Sequence, residues 1–490
     1  MASGAARGQE VEPSRGSPPG DLAREVRRLA FPAILHSLLQ TLVFVVDRVM
    51  LGRHGEASLA AMQIGGALEW SIWSVFAAFE VGTIARVGRH VGAGDRPAAR
   101  RVAWISLGIA VSVGVVLAAA TPLILAALPL VAENTSPEAL GEARAYLGVT
   151  IAASPLVFVA ATSVATLQAG GDTRTPLMIG VVANLVHIAL NRVLILGVEG
   201  VAPAMGARGA GISTAVTFGI EAILATLALT SRSRVVCLRR TAEERAGAST
   251  REETRELFRV GAPAFAERVL YHIGFVVYAM MTARLGDAAM AANQSLISVE
   301  SICFLSADGF GVAAAALVAQ KLGAENPADA RRAAWIATRY AVTALTVFGI
   351  GAFVLRDLIL PVFSDDPRVL AIGRATMPVL AFAQPFMATA VVLAQALRGA
   401  GKTRQALGVS LVGAVFVRLA ATWIFAFVAA LGLVGVWIGS TTDWAVRTAV
   451  LVLMFRRPVR SAARGEGDGG GGGDGADAAA AGKARGSVLE

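Results

Sequence analysis

Asp47 is the side chain in this sequence that most needs a chemical reason. It closes a run that is apolar from Phe31 to Val46 apart from His36, Ser37, Gln40 and Thr41, within the stretch FVVDRVMLGRHG. A charge at the centre of a bilayer costs on the order of 3 kcal/mol, so an acid kept there is a functional hypothesis by default. A carboxyl at that depth can load a proton from one side of a membrane and release it to the other. His36, Gln40 and Asp47 fall at i, i+4 and i+11, on one face of a helix. Asn184, His187 and Asn191 form a second stripe at i, i+3 and i+7. His187 brings an imidazole, the side chain that titrates nearest neutrality. Asp47, with His36 and Gln40 on its face, is therefore the expected coupling acid. Arg48 is adjacent to Asp47, and adjacent helical residues do not face each other, so Asp47 is read as pointing inward. Asn184 and Asn191 also suit a plainer role as hydrogen-bonding links between helices. Arg192 pairs with Asp47 or Glu80, or extends to the interface.

The elements that position these residues follow from composition. The chain has 490 residues, 55% hydrophobic and only 16% charged, with mean hydropathy +0.62. Soluble domains carry about 25% charged residues. Twelve apolar runs are each long enough to span a bilayer: 30–51, 59–85, 103–129, 145–168, 176–198, 209–230, 261–283, 289–320, 334–355, 371–397, 407–430 and 433–455. Only helices satisfy their own backbone groups in lipid as single segments. The fold class is an all-α polytopic membrane protein.

Basic residues sit in alternate loops: Arg86, Arg89, Arg96, Arg100 and Arg101 after the second run, then a cluster in 231–255, then KLGAENPADARR and RGAGKTR. This pattern places both termini in the cytoplasm of a cell (inner) membrane protein. It also argues against nucleic acid, which would require a basic face or motif. Cys237 and Cys303 are not expected to pair, and no metal-ligand spacing or cofactor motif occurs. No Walker motif is present, so ATP does not drive the protein directly. Residues 1–22 read as a disordered arm, 231–255 as a linker and 458–490 as a disordered Gly/Ala-rich tail.

An internal repeat divides the rest. Residues 24–104 align with 255–335 at an offset of 231, with 28 identities in 81 positions, and LQAGGDTR (167–174) pairs with LRGAGKTR (397–404) at 230. The chain reads as two pseudo-symmetric six-helix bundles, 23–230 and 256–457, in one orientation. Such halves are related by an axis along the membrane normal.

At this point VVDRVMLGRHG, LGAEN, LQAGGDTRTPL leading into NLVHIALNRVLILG, and GARGAGISTAV resemble the MATE (multidrug and toxic compound extrusion) family, over about residues 24–456. The resemblance implies a V-shaped pair of bundles. It also implies secondary antiport of amphipathic, often cationic compounds against protons or sodium, and a first-helix acid, matched by Asp47, in a cation site of the N-terminal half. Members with such a site commonly carry an asparagine and then an aspartate where this chain has His187 and Asn191. Losing that carboxylate weakens a sodium site, which favours hard oxygen ligands, and points to protons. The resemblance thus implies Asp47, Asn184, His187, Asn191, Gln40 and His36 as the proton- or cation-coupling set.

Further cavity candidates are Glu69 and Glu80, eleven residues apart, and Asp308, Glu267, Tyr271 and Tyr278. Glu80 alternatively pairs with Arg86 or Arg89. Glu267 and Tyr278 are the repeat partners of His36 and Asp47. Trp70, Trp73, Phe76 and Phe79 read as packing or an interfacial belt before a substrate wall. The expected partners are a small organic substrate, H+ or Na+, and the bilayer, with the protein a monomer. A lipid-linked precursor flippase is the alternative within transport. A membrane-embedded enzyme would need clustered catalytic groups, and the five histidines, His36, His54, His90, His187 and His272, are scattered.

Overall fold

The structure, a computed structural model, describes residues 18–131, 136–239 and 250–456. Among the described residues the elements are helices, with one isolated bridge between Val198 and Ala202. The first half comprises α1 (Pro19–His54), α2 (Glu56–Gly92), α3 (Arg96–Ala119), α4 (Thr121–Val131), α5 (Pro137–Ala152), α6 (Ser154–Ala169), α7 (Arg174–Leu194) and α8 (Gly206–Leu229). The second comprises α9 (Thr250–Ala283), α10 (Asp287–Gly323), α11 (Pro327–Val354), α12 (Arg356–Ile359), α13 (Pro367–Gly399), α14 (Thr403–Ser410), α15 (Arg418–Trp423) and α16 (Gly432–Arg456). α14 and α15 are parts of one span, joined and extended by π-helical segments at Leu411–Val417 and Ile424–Val428.

Eight spans are long and apolar enough to cross a bilayer, and the bent pair α5–α6 is a ninth. The others are α2, α9 and α16. They carry Glu69 and Glu80, Glu267 and Arg268, and Asp443 and Arg447, which lower their apolar score without shortening them. Twelve helical spans in two sets of six result. α2 and α10 have identical lengths and limits 231 residues apart, as the repeat requires.

Local chemistry sets the boundaries. Asp95, Ser136, Asn326 and Asp366 accept hydrogen bonds from the first-turn amides of α3, α5, α11 and α13, each with proline in that turn, which lacks an amide to satisfy. Gly94 leaves α2 in a left-handed conformation at φ 75°, and its repeat partner Glu325 adopts the same conformation at φ 54°. Two expected limits shift. α1 begins at Pro19 because Leu22 and Val26 pack into the core, so the arm ends earlier than 22. α9 begins at Thr250, inside the expected linker. The rest of the expected disordered arm (1–17), the middle of the expected linker (240–249) and the expected disordered tail (458–490) lie outside the described residues.

The halves meet through α1, α2, α9 and α10 at the end bearing the arginine-rich loops. A Cβ on Gly92 would lie 1.8 Å from the Gln320 carbonyl oxygen, and one on Gly323 would lie 1.9 Å from that of Arg89. These two glycines are repeat partners, so α2 and α10 clasp reciprocally, backbone on backbone. Gln320 Nε2 donates to the Ala169 carbonyl at 2.7 Å. Arg86 pairs with Glu253 at 2.7 Å and Lys321 with Glu25 at 3.0 Å. Phe79 on α2 packs against Phe258 and Phe265 on α9. Small residues on α10 allow the same closeness to α1, since a Cβ on Gly309 would lie 2.6 Å from Ile34 Cα.

Candidate functional site

Three helices of the first half converge on Asp47. α8 reaches α7 and α5 closely because Gly209 and Gly211 lack side chains: a Cβ there would lie 2.4 Å from the Leu194 carbonyl and 3.0 Å from that of Tyr146. This explains the glycines of GARGAGIS, and it carries Ser213 and Thr217 to the inner face of α7.

Asp47 on α1 is 1% exposed, and His187 and Asn191 on α7 are 0% exposed. His187 Nε2 lies 2.7 Å from Asp47 Oδ1. Asn191 Nδ2 donates to the same oxygen at 2.5 Å. On the other side of the ring, His187 Nδ1 is 3.1 Å from Thr217 Oγ1, whose own hydrogen goes to the Ser213 carbonyl at 2.7 Å. Thr217 therefore accepts, and Nδ1 carries a hydrogen. A neutral ring protonated at Nδ1 offers a bare lone pair at Nε2. At 2.7 Å from a carboxylate oxygen, that lone pair requires a proton between the two atoms, held by either one. The geometry thus accommodates one exchangeable proton on the Asp47–His187 pair. Asn191 Nδ2 also lies 2.9 Å from His187 Nε2, so removing that proton would leave two acceptors with only the Asn191 amide shared between them in a dry site.

Around this pair the first half is rich in acceptors. Glu69 accepts a short hydrogen bond from the Tyr146 hydroxyl, while its Oε1, Asn184 Oδ1 and Asn191 Oδ1 are buried without a protein partner. Asn184 donates to Gly180 on its own helix at 2.8 Å and makes no hydrogen bond to Asp47. His36 is set against Gly180, where a Cβ would lie 3.1 Å from its ring, with Nε2 unpartnered. Gln40 lies near Glu221, a buried acid one turn past Thr217 on α8. Sequence reasoning missed Glu221, Tyr146 and Thr217. Glu221 was detectable, since an acid inside the sixth apolar run meets the same rule that singled out Asp47.

The other candidates separate. Arg192 reaches neither acid; it donates to the Gly197 carbonyl at 2.9 Å in an exposed position. Arg48 is exposed and plays no part at Asp47. Glu80 parts from Glu69 and lies in the field of Arg268 and Asp308, while Arg86 is engaged by Glu253. Asp308 accepts from Gln395 at 2.7 Å. Glu267 is held by Arg398 and by Ser410 at 2.5 Å, and Tyr271 lines the small gap beside it. Phe76 stacks on Phe158 at 3.6 Å and Trp73 meets Phe218 edge-on at 4.7 Å, which is packing within the first half.

Tyr278 is buried, 5.8 Å from the Arg418 guanidinium. There the second half holds a cluster that the sequence reading did not assemble. Asp443, fully buried, accepts from Arg418 Nε at 2.9 Å and from Arg447 Nε at 2.7 Å, and Trp444 covers both guanidinium groups. Gly413 makes room for it, since a Cβ there would meet Arg447 and Asp443 at 2.4 Å.

Comparison with known proteins adds an independent line. The family model described as MatE matches residues 32–193 and again residues 263–424, the same 231-residue displacement as the repeat. A probable multidrug resistance protein NorM of Thermotoga maritima is 28% identical, covering 89% of this chain and 92% of its own. The NorM protein of Bradyrhizobium diazoefficiens is 30% identical over 92% of this chain and 97% of its own, and that of Xanthomonas campestris 32% over 78% and 83%. Among solved structures, an outward-facing multidrug resistance MATE family transporter of the MOP superfamily has a TM-score of 0.81 at 20% identity, covering 90% of this chain and 98% of its own. A MOP superfamily transporter from Pyrococcus furiosus also scores 0.81 at 20% identity, with coverage of 90% and 98%. At such identities the structures speak for the fold.

Proposed function

Because this chain belongs to the MatE family of membrane transporters, and is thus not an enzyme, we propose that it is a multidrug exporter that couples cargo exit to proton entry through Asp47 and His187. The relatives named as multidrug resistance proteins support the cargo class. Amphipathic organic cations are its best fit, given the acids Glu69, Glu80 and Glu221 near or within the spans.

The observation that carries proton coupling is the 2.7 Å contact between His187 Nε2 and Asp47 Oδ1, with Nδ1 committed to Thr217. With its proton the pair is closed and satisfied. Without it, two acceptors are left to share the one Asn191 amide, and α1 and α7 favour separation. A two-state helix arrangement biased by one proton is what antiport needs. Glu221 and Gln40 are further buried polar groups between this site and the arginine-rich end, and we assign that end to the cytoplasm of an inner-membrane protein with both termini inside. The clasp of α2 and α10 closes the cytoplasmic end in the state described, so the rocking of halves related by an axis along the membrane normal would open it.

The test is transport in everted membrane vesicles, following a fluorescent organic cation. An imposed pH gradient, inside acidic, should drive uptake, and an outwardly directed sodium gradient, high inside, at constant pH should not. Asp47→Asn should abolish pH-driven uptake with the protein still present in the membrane. Uptake driven by sodium alone, or undiminished in the Asn variant, would defeat the assignment.

A further inference from the structure

Two cavities at the arginine-rich end of the first half share a wall made of Arg28 on α1 and Arg174 at the start of α7. The inner one, about 330 Å³, is polar, lined by Thr173, Ser233 and Arg234 among others. The outer one, about 720 Å³, has an apolar floor of Phe31, Pro32, Leu177 and Met178, rimmed by Arg24, Arg27, Arg28 and Arg174. Phe31 and Met178 are 65% and 62% exposed, as expected of side chains turned to acyl chains.

The charges in the inner cavity do not cancel locally. Its two acids are already neutralised, Glu25 by Lys321 at 3.0 Å and Asp172 by Arg234. Arg28 and Arg174 have no carboxylate partner among the described residues. Thr173 Oγ1 is buried in the same wall without a hydrogen-bond partner. The pocket thus offers two free guanidinium groups and an unused hydroxyl beside an apolar furrow that opens sideways. Guanidinium pairs match the geometry of a phosphodiester, and basic pockets between spanning helices at the cytoplasmic face select anionic lipid.

We infer that this paired cavity is a binding site for an anionic glycerophospholipid, its phosphate seated between Arg28 and Arg174, its head group toward Thr173 and Ser233, and an acyl chain along Phe31, Pro32, Leu177 and Met178. The lipid would tie α1 to α7, the helices that carry Asp47 and His187.

The full chain in detergent is titrated with dioleoyl phosphatidylglycerol, dioleoyl phosphatidylcholine or inorganic phosphate, with retained lipid read by native mass spectrometry and by the thermal midpoint. Phosphatidylglycerol should be retained and raise the midpoint; phosphatidylcholine and inorganic phosphate should do neither at the same concentration. Arg28→Gln/Arg174→Gln should bind phosphatidylglycerol roughly thirtyfold more weakly, and Arg174→Gln alone roughly fivefold, whereas Arg284→Gln should change nothing. The single variant serves if the double one does not fold. Equal retention of both lipids, binding of inorganic phosphate as strong as that of the lipid, or undiminished binding by the arginine variants would overturn the site. None of these readouts depends on the coupling ion.

Discussion

Gly92→Ala should open the closed end of this transporter. Alanine would normally favour a helix interior by up to about 1 kcal/mol over glycine. Here the new Cβ would lie 1.8 Å from the Gln320 carbonyl oxygen, 2.6 Å from its carbon and 2.8 Å from its Cα. An ordinary contact begins near 3.4 Å, so α2 and α10 must part by about 1.5 Å, because backbone atoms cannot rotate away as a side chain would. Overpacking of this kind costs about 1–3 kcal/mol, which exceeds the propensity gain at the upper end and shifts the closed-to-open ratio by up to about a hundredfold. The cost falls only on the conformer in which the helices touch. Spin labels at Ala93→Cys and Ala324→Cys, exposed repeat partners just past the crossing, report the separation by double electron–electron resonance. The variant should gain a longer-distance population and lose transport rate, and Gly323→Ala should do the same from the other side. Gly108→Ala, which meets nothing within 4 Å, is the control and should leave both unchanged. A distance distribution identical to that of the unmodified pair in Gly92→Ala would show that the clasp is not what holds this end shut.

Three other outcomes follow from the same contacts. His187→Gln keeps a hydrogen-bonding group near Thr217 but has no exchangeable proton, so pH-driven uptake should fall at least tenfold while cargo binding, measured by fluorescence at equilibrium, persists; retained uptake would shift coupling to Asp47 alone. Asp443→Asn leaves Arg418 and Arg447 buried without a counter-charge, a loss of about 3–5 kcal/mol, seen as a much lower thermal midpoint in fluorescence-detected size exclusion; an unchanged midpoint would mean the arginines find water. At the clasp, burial holds the His90 imidazole below its ordinary range, against the pull of Glu253 3.2 Å away. The closed state therefore favours the neutral ring: its contribution is full above about pH 6.5 and is lost as pH falls from there through the depressed value. The spin-label distance should lengthen on acidification below pH 6.5, and His90→Gln should remove that response.

What the sequence made legible was whatever repeats or stands alone. The 231-residue displacement reappears in the limits of α2 and α10, in the paired glycines of the clasp and in the two matched stretches of the family model. Asp47 was legible because one acid in an apolar run needs no partner to be noticed. Pairings between distant helices were not: the Asp47–His187 contact joins residues 140 apart, and Arg418–Asp443 joins two spans that each carry a single charge of their own sign at that depth.

The structure gives these two pairings a common origin. Asp47 matches Tyr278 at 231. The displacement is 230 where LQAGGDTR meets LRGAGKTR, and the π-helical Leu411–Val417 then takes in one more residue, which restores 231 and sets His187 against Arg418. Gly209 and Gly435 each press a helix start onto a carbonyl, of Leu194 and Phe425, 231 residues apart. From that pair, 226 apart, Thr217 falls on Asp443 and Glu221 on Arg447. The same four places are filled twice: Asp47, His187, Thr217 and Glu221 in one half, Tyr278, Arg418, Asp443 and Arg447 in the other. Only the first set places a carboxylate against an imidazole rather than a guanidinium. In the second, two guanidinium groups, which never deprotonate, pair with the Asp443 carboxylate. If Asp47 and His187 carry the coupling proton as proposed, a duplicated scaffold with one such copy and one copy fixed by guanidinium groups can move in response to that proton, because the fixed half gives the other something constant to rock against.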